Sequence, residues 1–420
     1  MHINIIGGGI VGISTAWALL ARGHTVDVFE ANEASGLETS FANGGMLTAG
    51  MSEPWNAPGV WRDLLSSLAD PHAAMKLNPS AVPGMALWGL KFLAQSTPNR
   101  FRANSIASYQ LCAYSVSLTS QLVPDLGLEC DYRTGGDLKI FPSEDAAAFT
   151  KEVADMVRPL GMRMDHLSRD QVLEKEPALA SIADRIACGQ YYPDDTAGDA
   201  HRFTQSLASA VAQAGGTIHY QTPIARPLVR QGKCVGVESQ SGQEHLADVM
   251  IIAAANMSPT LAGKAGVRLP IRPVKGYSLT FDVSHLDGGP KLAVIDQAMH
   301  AAVNPLGSRL RVAGTAEFTR KPDPVLSQAR IDNLYQLLQA TYPQIAAQLR
   351  QEDGQGWCGF RPMSVDGKPF IGSSHVPGLY INSGHGYLGW TQATGSAALL
   401  SDLIEGKAPA IDPAPYRVDR

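Results

Sequence analysis

The amino-acid sequence predicts an α/β fold in which a parallel sheet covered by helices is interleaved with a second, α+β domain that contains an antiparallel sheet. Three observations support this prediction. The chain starts with an apolar strand that runs directly into a glycine-rich turn and a helix, glycine is abundant at 41 residues, and segment 268–320 is rich in short strands. The 420 residues are enough for roughly two to three domains of ordinary size.

Composition and charge argue against several classes of protein. Lys and Arg number 34 and Asp and Glu number 39, which gives a formal net charge of −5 without any basic tract. The sequence therefore gives no reason to expect a nucleic-acid partner. The five cysteines are an odd number and form no Cys-x-x-Cys pair, which argues against a disulfide framework and against structural zinc. We expect no metal site and a reducing compartment.

The amino terminus carries a nucleotide-binding pattern. The strand His2–Ile6 is followed by Gly7-Gly8-Gly9-Ile10-Val11-Gly12 and by a helix that continues to Arg22. Gly7 permits the tight turn, Gly9 lacks the Cβ that would block a pyrophosphate, and Gly12 lets the helix lie close to the strand. The free N–H groups at the start of the helix, at Ile10 and Val11, are expected to face the phosphates.

A second predicted strand, Thr25–Phe29, ends at Glu30, 18 residues after the last glycine of the turn. A carboxylate at this place accepts hydrogen bonds from the ribose hydroxyls of adenosine and repels a 2′-phosphate. Glu30 and the adjoining Ala31 are therefore expected at the adenosine end of the site. The pattern predicts a dinucleotide, but by itself it does not distinguish NAD from FAD.

Two further segments favour a flavin. Glu38–Leu47 is polar and then glycine-rich, which suits a loop that lays backbone amides and small hydroxyls along a ribityl chain and against an isoalloxazine ring. Near the other end of the chain, a strand at Tyr380–Ser383 leads into the turn Gly384–Gly389 and a helix from Trp390 to Ile404. A helix amino terminus is a suitable place for the negative charge of a reduced flavin.

These segments match a known pattern, because the chain resembles the D-amino acid oxidase-like family of FAD-dependent oxidoreductases and, within it, the bacterial D-amino acid dehydrogenases. The resemblance is carried by runs spread from the first strand to the last helix. They are ETSFANGGML (38–47), ALWGLKFLAQ (86–95), RTGGDL (133–138), TAGD (196–199), RPVKGYSL (272–279), GFRPM (359–363) with Asp366-Gly367, and GHGYLGWT (384–391).

The resemblance implies an FAD-binding, Rossmann-like domain of the glutathione-reductase type. We expect this domain to comprise residues 1–84, 195–265 and 350–420, and the substrate-binding domain to comprise residues 85–194 and 266–349. The residues expected to hold the cofactor are Gly7, Gly9, Ile10, Val11, Gly12, Glu30, Ala31, Thr39, Ser40, Asn43, Gly44, Gly45, Met46, Ile224, Gly384, Gly386, Tyr387, Leu388, Gly389 and Thr391.

The resemblance also implies an activity, the oxidative deamination of D-amino acids to 2-oxo acids and ammonia by hydride transfer from Cα to flavin N5. Arg361 is the candidate for the substrate carboxylate, because a guanidinium pairs with a carboxylate through two parallel hydrogen bonds and Pro362 stiffens the backbone beside it. Tyr277 is expected to reach the carboxylate or the amine through its hydroxyl. His385 is expected either at the pyrimidine edge of the flavin or as a cap of its turn.

Several alternatives stay open at this stage. The same fold would also serve a cyclic or N-substituted amino acid such as D-proline, hydroxy-D-proline, sarcosine or glycine, as dehydrogenase or oxidase. A different class is a nucleotide-binding protein or NAD-dependent enzyme that uses no flavin. Some sarcosine oxidase relatives tether their flavin through a cysteine near the position of Cys358, whereas the resemblance to the dehydrogenases implies a noncovalent flavin.

The expected partners are a small amino acid and a respiratory-chain or quinone-type electron acceptor. The apolar first twenty residues are interrupted by three glycines and followed by Arg22, so we expect neither a signal peptide nor a spanning helix. The predicted helix Met85–Ala94 is apolar with one charge, Lys91, and is a candidate for contact with a membrane or an acceptor. The expected location is the cytoplasm or the cytoplasmic face of a bacterial inner membrane.

Overall fold

A computed structural model describes residues 1–66, 75–286, 289–299, 301–319 and 323–420. The described residues form twenty strands. They are β1 (His2–Ile6), β2 (Thr25–Phe29), β3 (Met46–Leu47), β4 (Met75–Leu77), β5 (Asp137–Phe141), β6 (Asp165–Ser168), β7 (Cys188–Tyr192), β8 (Thr196–Ala197), β9 (Thr217–His219), β10 (Ile224–Arg230), β11 (Lys233–Ser239), β12 (Glu244–Leu246), β13 (Val249–Ile252), β14 (Ile271–Asp282), β15 (Ala293–Asp296), β16 (Ala301–Leu306), β17 (Arg309–Phe318), β18 (Gln355–Ser364), β19 (Phe370–Ser373) and β20 (Leu379–Ser383).

The same residues form eleven α-helices. They are α1 (Ile10–Leu20), α2 (Val60–Ser66), α3 (Val82–Ala94), α4 (Pro98–Asp125), α5 (Glu144–Val157), α6 (Arg169–Lys175), α7 (Ala200–Gln213), α8 (Ser258–Gly263), α9 (Gln328–Thr341), α10 (Pro343–Ala346) and α11 (Gly389–Glu405). Among the described residues, no helix is both long enough and apolar enough to cross a membrane.

The first sheet has six strands in the order β19-β20-β13-β1-β2-β9. All neighbours are parallel except β19, which runs antiparallel to β20. Strands β1 and β13 are nearly continuous apolar runs because the sheet is covered on both faces. Since β1, β13 and β20 are parallel, the carboxyl ends of β1 and β20 lie at the same edge, separated by one strand. The glycine turns that follow these two strands therefore lie close together.

The second sheet has nine strands, eight of them in the order β18-β14-β17-β16-β15-β5-β7-β6, with β4 paired to β17. Its central strands agree with the strands predicted for segment 268–320. Strand β18, which carries Arg361, pairs with β14 from Ile271↔Ser364 to Thr280↔Gln355. The sequence analysis assigned segment 350–420 to the nucleotide-binding domain, but the backbone hydrogen bonds of residues 355–364 place them in the second sheet.

Helices α1, α4, α7 and α11 contribute to one apolar core with the parallel sheet. Helix α4, which the sequence analysis assigned to the substrate-binding domain, packs against α11 through Ser115, whose side chain bonds both the Thr394 hydroxyl and the Gly395 amide. An added Cβ at Gly395 would lie 2.7 Å from Ser115 Cβ, so this glycine permits the close approach. The two predicted domains therefore share part of their packing, and their division stays a prediction.

Candidate active site

A cavity lies between the two sheets and brings both ends of the chain together. Its walls include the start of α1, the segment Thr39–Met46, strand β18 and the turn before α11. The lining contains most of the sequence-predicted site residues, namely Gly9, Ile10, Val11, Thr39, Ser40, Asn43, Gly44, Gly45, Met46, Tyr277, Arg361, His385, Gly386, Tyr387, Leu388, Gly389 and Thr391.

The turn between β1 and α1 has the geometry that its glycines require. Gly7 has a φ of 110°, and a Cβ on Gly12 would collide with the Gly7 carbonyl oxygen. A Cβ on Gly9, in contrast, would meet only Ser40 Oγ within 4 Å, at 3.7 Å, so the space in front of this residue is open. At the start of α1 the Ile10 amide donates to the Ser40 hydroxyl at 3.2 Å, and the positive end of the helix faces that space.

The predicted adenosine end lies beside this turn. Glu30 is 7% exposed, and its carboxylate accepts hydrogen bonds from the Gly8 amide at 2.6 Å and the Asn32 amide at 2.8 Å. The Asn32 side-chain amide donates to the same carboxylate at 2.7 Å, so the acid fixes the glycine turn and keeps one lone pair, on Oε2, for a further donor such as a ribose hydroxyl. Ala31 is exposed next to it, and Ile224 begins β10, two residues after Thr222, whose amide bonds the Glu30 carbonyl.

The loop before β3 is held by three side chains of the second sheet that the sequence analysis did not identify. Ser278 donates to the Ala42 carbonyl at 2.7 Å, Arg311 donates to the Asn43 carbonyl at 3.1 Å, and Asn304 donates to the Gly44 carbonyl at 3.0 Å. Their signal in the sequence is polarity at alternate positions of otherwise apolar strands, but polarity alone does not show which loop a strand faces.

Arg311 also pairs with Asp199 at 3.3 Å, and the Asp199 side chain caps α7 by accepting the His201 amide. Burial lowers the pKa of Arg311, which Asp199 opposes. Asp199 lies in the TAGD run on which part of the family resemblance rests, and the structure shows it as the counter-ion of the arginine that holds the loop.

Arg361 lies on β18 with part of its side chain open to the cavity. Its Nη1 donates to the Thr315 carbonyl at 3.0 Å, and its guanidinium carbon lies 5.7 Å from the centre of the Trp55 ring. Among the described residues, no carboxylate pairs with it. Burial lowers the pKa of Arg361 to about 10, so the group stays charged at neutral pH. A deep, charged and unpaired guanidinium is costly unless a ligand supplies an anion.

Two backbone features of the neighbouring strands position this guanidinium. A Cβ on Gly276 would overlap Nη1 and Cζ of Arg361, so only glycine leaves room for it there. Thr315 has a φ of 58°, in the left-handed region, and its carbonyl accepts the hydrogen bond from Arg361. Both residues lie at the irregularity in the pairing of β14 with β17.

Tyr277 is placed differently from the expectation. It borders the cavity, but its hydroxyl donates to Glu317 at 2.9 Å, and burial followed by the Glu317 charge raises its pKa. Tyr277 pairs with Cys358 in the register that pairs Val274 with Arg361, so strand alternation puts its ring on the face opposite Arg361. The structure thus directs this hydroxyl to Glu317, and the Tyr277 ring packs in the apolar core of the second sheet.

His385 is 2% exposed and borders the cavity at the turn before α11. Its Nε2 lies 3.1 Å from the hydroxyl of Ser396, about two helical turns into α11. Burial lowers the pKa of His385 to about 3, so the ring is neutral at physiological pH. The contact with Ser396 supports a structural part in fixing the turn, and contact with a flavin stays a prediction.

Comparison with known proteins shows the family of this chain. The model of the DAO family, described as FAD dependent oxidoreductase, matches residues 2–403. The chain belongs to this family. It is 35% identical over 420 residues to a D-amino acid dehydrogenase of Agrobacterium fabrum, which covers 100% of this chain and 99% of the relative. It is 37% identical over 423 residues to a D-amino acid dehydrogenase of Cereibacter sphaeroides, with 100% and 95% covered.

Solved structures of the same fold include the glycine oxidase of Geobacillus kaustophilus, with a TM-score of 0.74, 23% identity and coverage of 100% of this chain and 98% of that one. The L-proline dehydrogenase of P. horikoshii gives a TM-score of 0.77 at 17% identity, with 99% and 96% covered.

As a DAO-family FAD-dependent oxidoreductase, the protein has residues that fit its cofactor. The open space in front of Gly9 and the positive end of α1 suit a pyrophosphate, Glu30 suits a ribose, and the cavity beyond them suits a flavin ring. The second glycine turn also has the required shape, since Gly384 and Gly386 have φ values of 89° and 59°. The fit supports the FAD assignment.

Two further residues bear on this site in different ways. Trp55 stacks on Tyr387 with ring centres 5.1 Å apart, and both line the cavity. Trp55 lies in a loop where the sequence showed no motif, so the sequence analysis did not identify it. Cys358 has its Sγ 3.1 Å from the Pro324 carbonyl and shares the strand face of Tyr277, away from Arg361. This position supports a flavin that is not tethered through Cys358.

Proposed function

We propose that this oxidoreductase converts D-amino acids to imino acids, which water then hydrolyses to 2-oxo acids and ammonia. The observation that carries the proposal is Arg361, a charged guanidinium at the cavity that no acid of the described residues neutralises. An amino-acid carboxylate is the anion that its planar fork fits best. The names of the relatives at 34–37% identity support the D configuration.

The residues of this chain orient the substrate and exclude water. Arg361 holds the carboxylate, and the ring of Trp55 covers one side of the guanidinium, so the ion pair forms in a place of low dielectric. Bound FAD would supply the hydride acceptor for this oxidation. The site needs no general base if the amine enters unprotonated, and the neutral His385 adds no positive charge that would oppose this amine.

The test is anaerobic reduction of the purified holoenzyme by a panel of D- and L-amino acids, with D-proline, sarcosine and glycine included. We expect the flavin absorbance to bleach with primary D-amino acids and not with their L enantiomers. Reduction by sarcosine or D-proline alone would transfer the activity to N-substituted or cyclic amino acids. A colourless protein that binds no FAD would refute the cofactor as well as the substrate.

We further propose that the electrons pass to a respiratory, quinone-type acceptor and that the protein reaches it at a membrane surface. The solvent face of α3 supports this, because Leu87 and Leu90 are 71% and 67% exposed and Val82 is exposed beside them. Residues 71–124 contain no Asp or Glu, whereas Lys91 lies on α3 itself. An apolar face with basic and no acidic neighbours suits an anionic lipid surface.

Sedimentation with vesicles tests this surface. We expect the holoenzyme to bind vesicles that contain anionic phospholipid, and the double variant Leu87→Asp/Leu90→Asp to lose the binding. Leu246→Asp is the matched control, because Leu246 is 54% exposed on β12, far along the chain from α3. Equal binding by the double variant and the control would refute the α3 surface without affecting the proposed chemistry.

A further inference from the structure

Three side chains of metal-binding types meet at one edge of the second sheet. They are Glu144, the first residue of α5, His166 on the edge strand β6, and Cys188 on β7. One ligand atom of each lies within 4.8 Å of the other two, and His166 Nε2 lies 3.1 Å from a Glu144 carboxylate oxygen. Because the three come from separate elements, the cysteine spacing that argued against structural zinc could not reveal them.

The pairing of β6 with β7 puts two of these side chains on one face of the sheet. His166 pairs with Gln190. Cys188 pairs with Ser168, which lies two positions after His166 on the same strand. Paired residues share a face, and so do residues two positions apart on one strand. His166 and Cys188 are therefore diagonal neighbours, which places an imidazole beside a thiol.

Helix α5 covers the same face and brings Glu144 to the thiol. The Ala147 carbonyl on α5 accepts a hydrogen bond from the Gln190 side chain at 3.1 Å, and Ala147 shares a small apolar core with Cys188. The Cys188 sulfur lies 3.9 Å from the Ser143 carbonyl oxygen, immediately before the helix. The three groups are thus held by paired strands and a packed helix, and their proximity does not depend on a loop.

The ligand set and its spacing suit zinc. Thiolate, imidazole and carboxylate groups are its usual protein ligands, and in a tetrahedral site neighbouring ligand atoms lie about 3.4–3.7 Å apart. The contact between His166 and Glu144 is already close to this spacing. Drawing the widest pair together takes a movement of roughly 1 Å, which the exposed Glu144 side chain has the freedom to make. Water fills the fourth position from the solvent side.

The charges of this set also balance. A cysteine that binds zinc does so as a thiolate, so the Cys188 thiol releases its proton to solvent on binding. The two positive charges of the ion then face one thiolate and one carboxylate, while the imidazole is neutral. An oxygen-preferring ion such as Mg²⁺ gains little from sulfur and nitrogen ligands, so the set selects zinc over magnesium.

We infer that Glu144, His166 and Cys188 bind one zinc ion that holds α5 against β6 and β7. None of these three residues lines the cavity of the candidate active site, so the ion is structural and takes no part in turnover. The inference is independent of the proposed function. Strand β6 has only four residues and lies at the edge of its sheet, so a ligand that binds only the folded chain stabilises a short element there.

The test titrates ZnCl₂ into holoenzyme that has been washed with EDTA. We expect calorimetry to show one zinc per chain, the Tm to rise with zinc but not with MgCl₂, and turnover with a dye acceptor to stay unchanged. His166→Gln and Glu144→Gln should each weaken zinc binding by at least about 100-fold, since losing a partner outside the ligand set already costs roughly 10- to 100-fold. His375→Gln, at an exposed histidine, is the matched control and should bind as the wild type does.

Cobalt tests the thiolate directly. Tetrahedral Co²⁺ absorbs in the red, where oxidised flavin does not, and a thiolate ligand adds a charge-transfer band at shorter wavelength. We expect both signals in the wild type and neither in Cys188→Ala. A melt of every variant in EDTA shows whether its fold survives, and we expect a Tm close to that of the wild type in EDTA.

The outcomes that overturn the site are specific. Absence of zinc binding by the wild type, or equal zinc affinity in the wild type and His166→Gln, would refute it. Zinc binding that persists in Cys188→Ala would refute the three-ligand arrangement. Neither result would affect the proposed oxidation of D-amino acids, and a flavin that no D-amino acid reduces would leave the zinc site standing.

Discussion

Replacing Arg361 by alanine tests the centre of the proposed site. A bidentate pair with a carboxylate supplies two charge-assisted hydrogen bonds, each worth about 1.5–3 kcal/mol, so together they are worth roughly 3–6 kcal/mol. At about 1.4 kcal/mol per tenfold change, Arg361→Ala should lower kcat/KM for D-amino acids by about 10² to 10⁴. Arg361→Lys keeps the charge but loses the fork, and a smaller loss of about 10- to 100-fold is expected.

The structure also predicts what Arg361→Ala leaves unchanged. Among the described residues, Arg361 bonds a carbonyl and no carboxylate, so its removal strands no buried anion. The Tm and the flavin spectrum should therefore stay close to those of the wild type, whereas loss of one partner of a buried ion pair would cost about 3–5 kcal/mol.

Steady-state kinetics with a dye acceptor and a thermal melt of the holoenzyme measure both quantities. Arg417→Ala is the control, because this exposed arginine pairs only with Asp419 near the carboxyl terminus and should change neither. Turnover of Arg361→Ala within about threefold of the wild type would refute the carboxylate assignment. Loss of flavin and a large fall in Tm would show instead that Arg361 is structural.

Three further predictions follow from local geometry. Gly276→Ala forces the Arg361 guanidinium to move, so KM for the substrate carboxylate should rise at least tenfold while bound flavin remains; an unchanged KM would show that the guanidinium has other room. Gly12→Ala collides with the Gly7 carbonyl, so the protein should be isolated largely without FAD, as measured by its absorbance ratio; normal flavin content would contradict the turn geometry. His385 has a pKa of about 3 when folded and about 6.5 when unfolded. Its contribution to the free energy of unfolding is therefore fully present above pH 6.5 and is lost as the pH falls toward 3. At pH 5 the free energy of unfolding should be about 2 kcal/mol lower than at neutral pH, and urea unfolding of His385→Gln should not show this fall. The same pH dependence in both proteins would refute the lowered pKa.

Much of this site is local in the sequence. The turn Gly7–Gly12, the acid Glu30 and the turn Gly384–Gly389 were predicted because each is a short run with its own backbone requirement. The expected helix from Trp390 to Ile404 is found as Gly389–Glu405, ending at Gly406 with a left-handed φ of 66°. Such patterns predict structure well because glycine conformations and strand periodicity act within a few residues.

The contacts that close the site could not be predicted from such short runs. On the second sheet, Arg311 donates a hydrogen bond to the Asn43 carbonyl and Asn304 donates one to the Gly44 carbonyl. The two residues of each pair are more than 250 positions apart in the sequence. The direction of Tyr277 was missed for a related reason, since alternation along β14 fixes its face only after the pairing with β18 is known. Trp55 stands in a loop without any motif.

The sequence by itself therefore determined the nucleotide-binding turn and the flavin-type loops, because glycine conformations are properties of short runs, and through the family resemblance it nominated Arg361 for the substrate carboxylate. Only the tertiary structure decided which groups face one another across the cavity. It left Arg361 without a carboxylate partner among the described residues, directed Tyr277 to Glu317 and turned Cys358 away, because burial and strand register depend on segments that meet only in the folded chain.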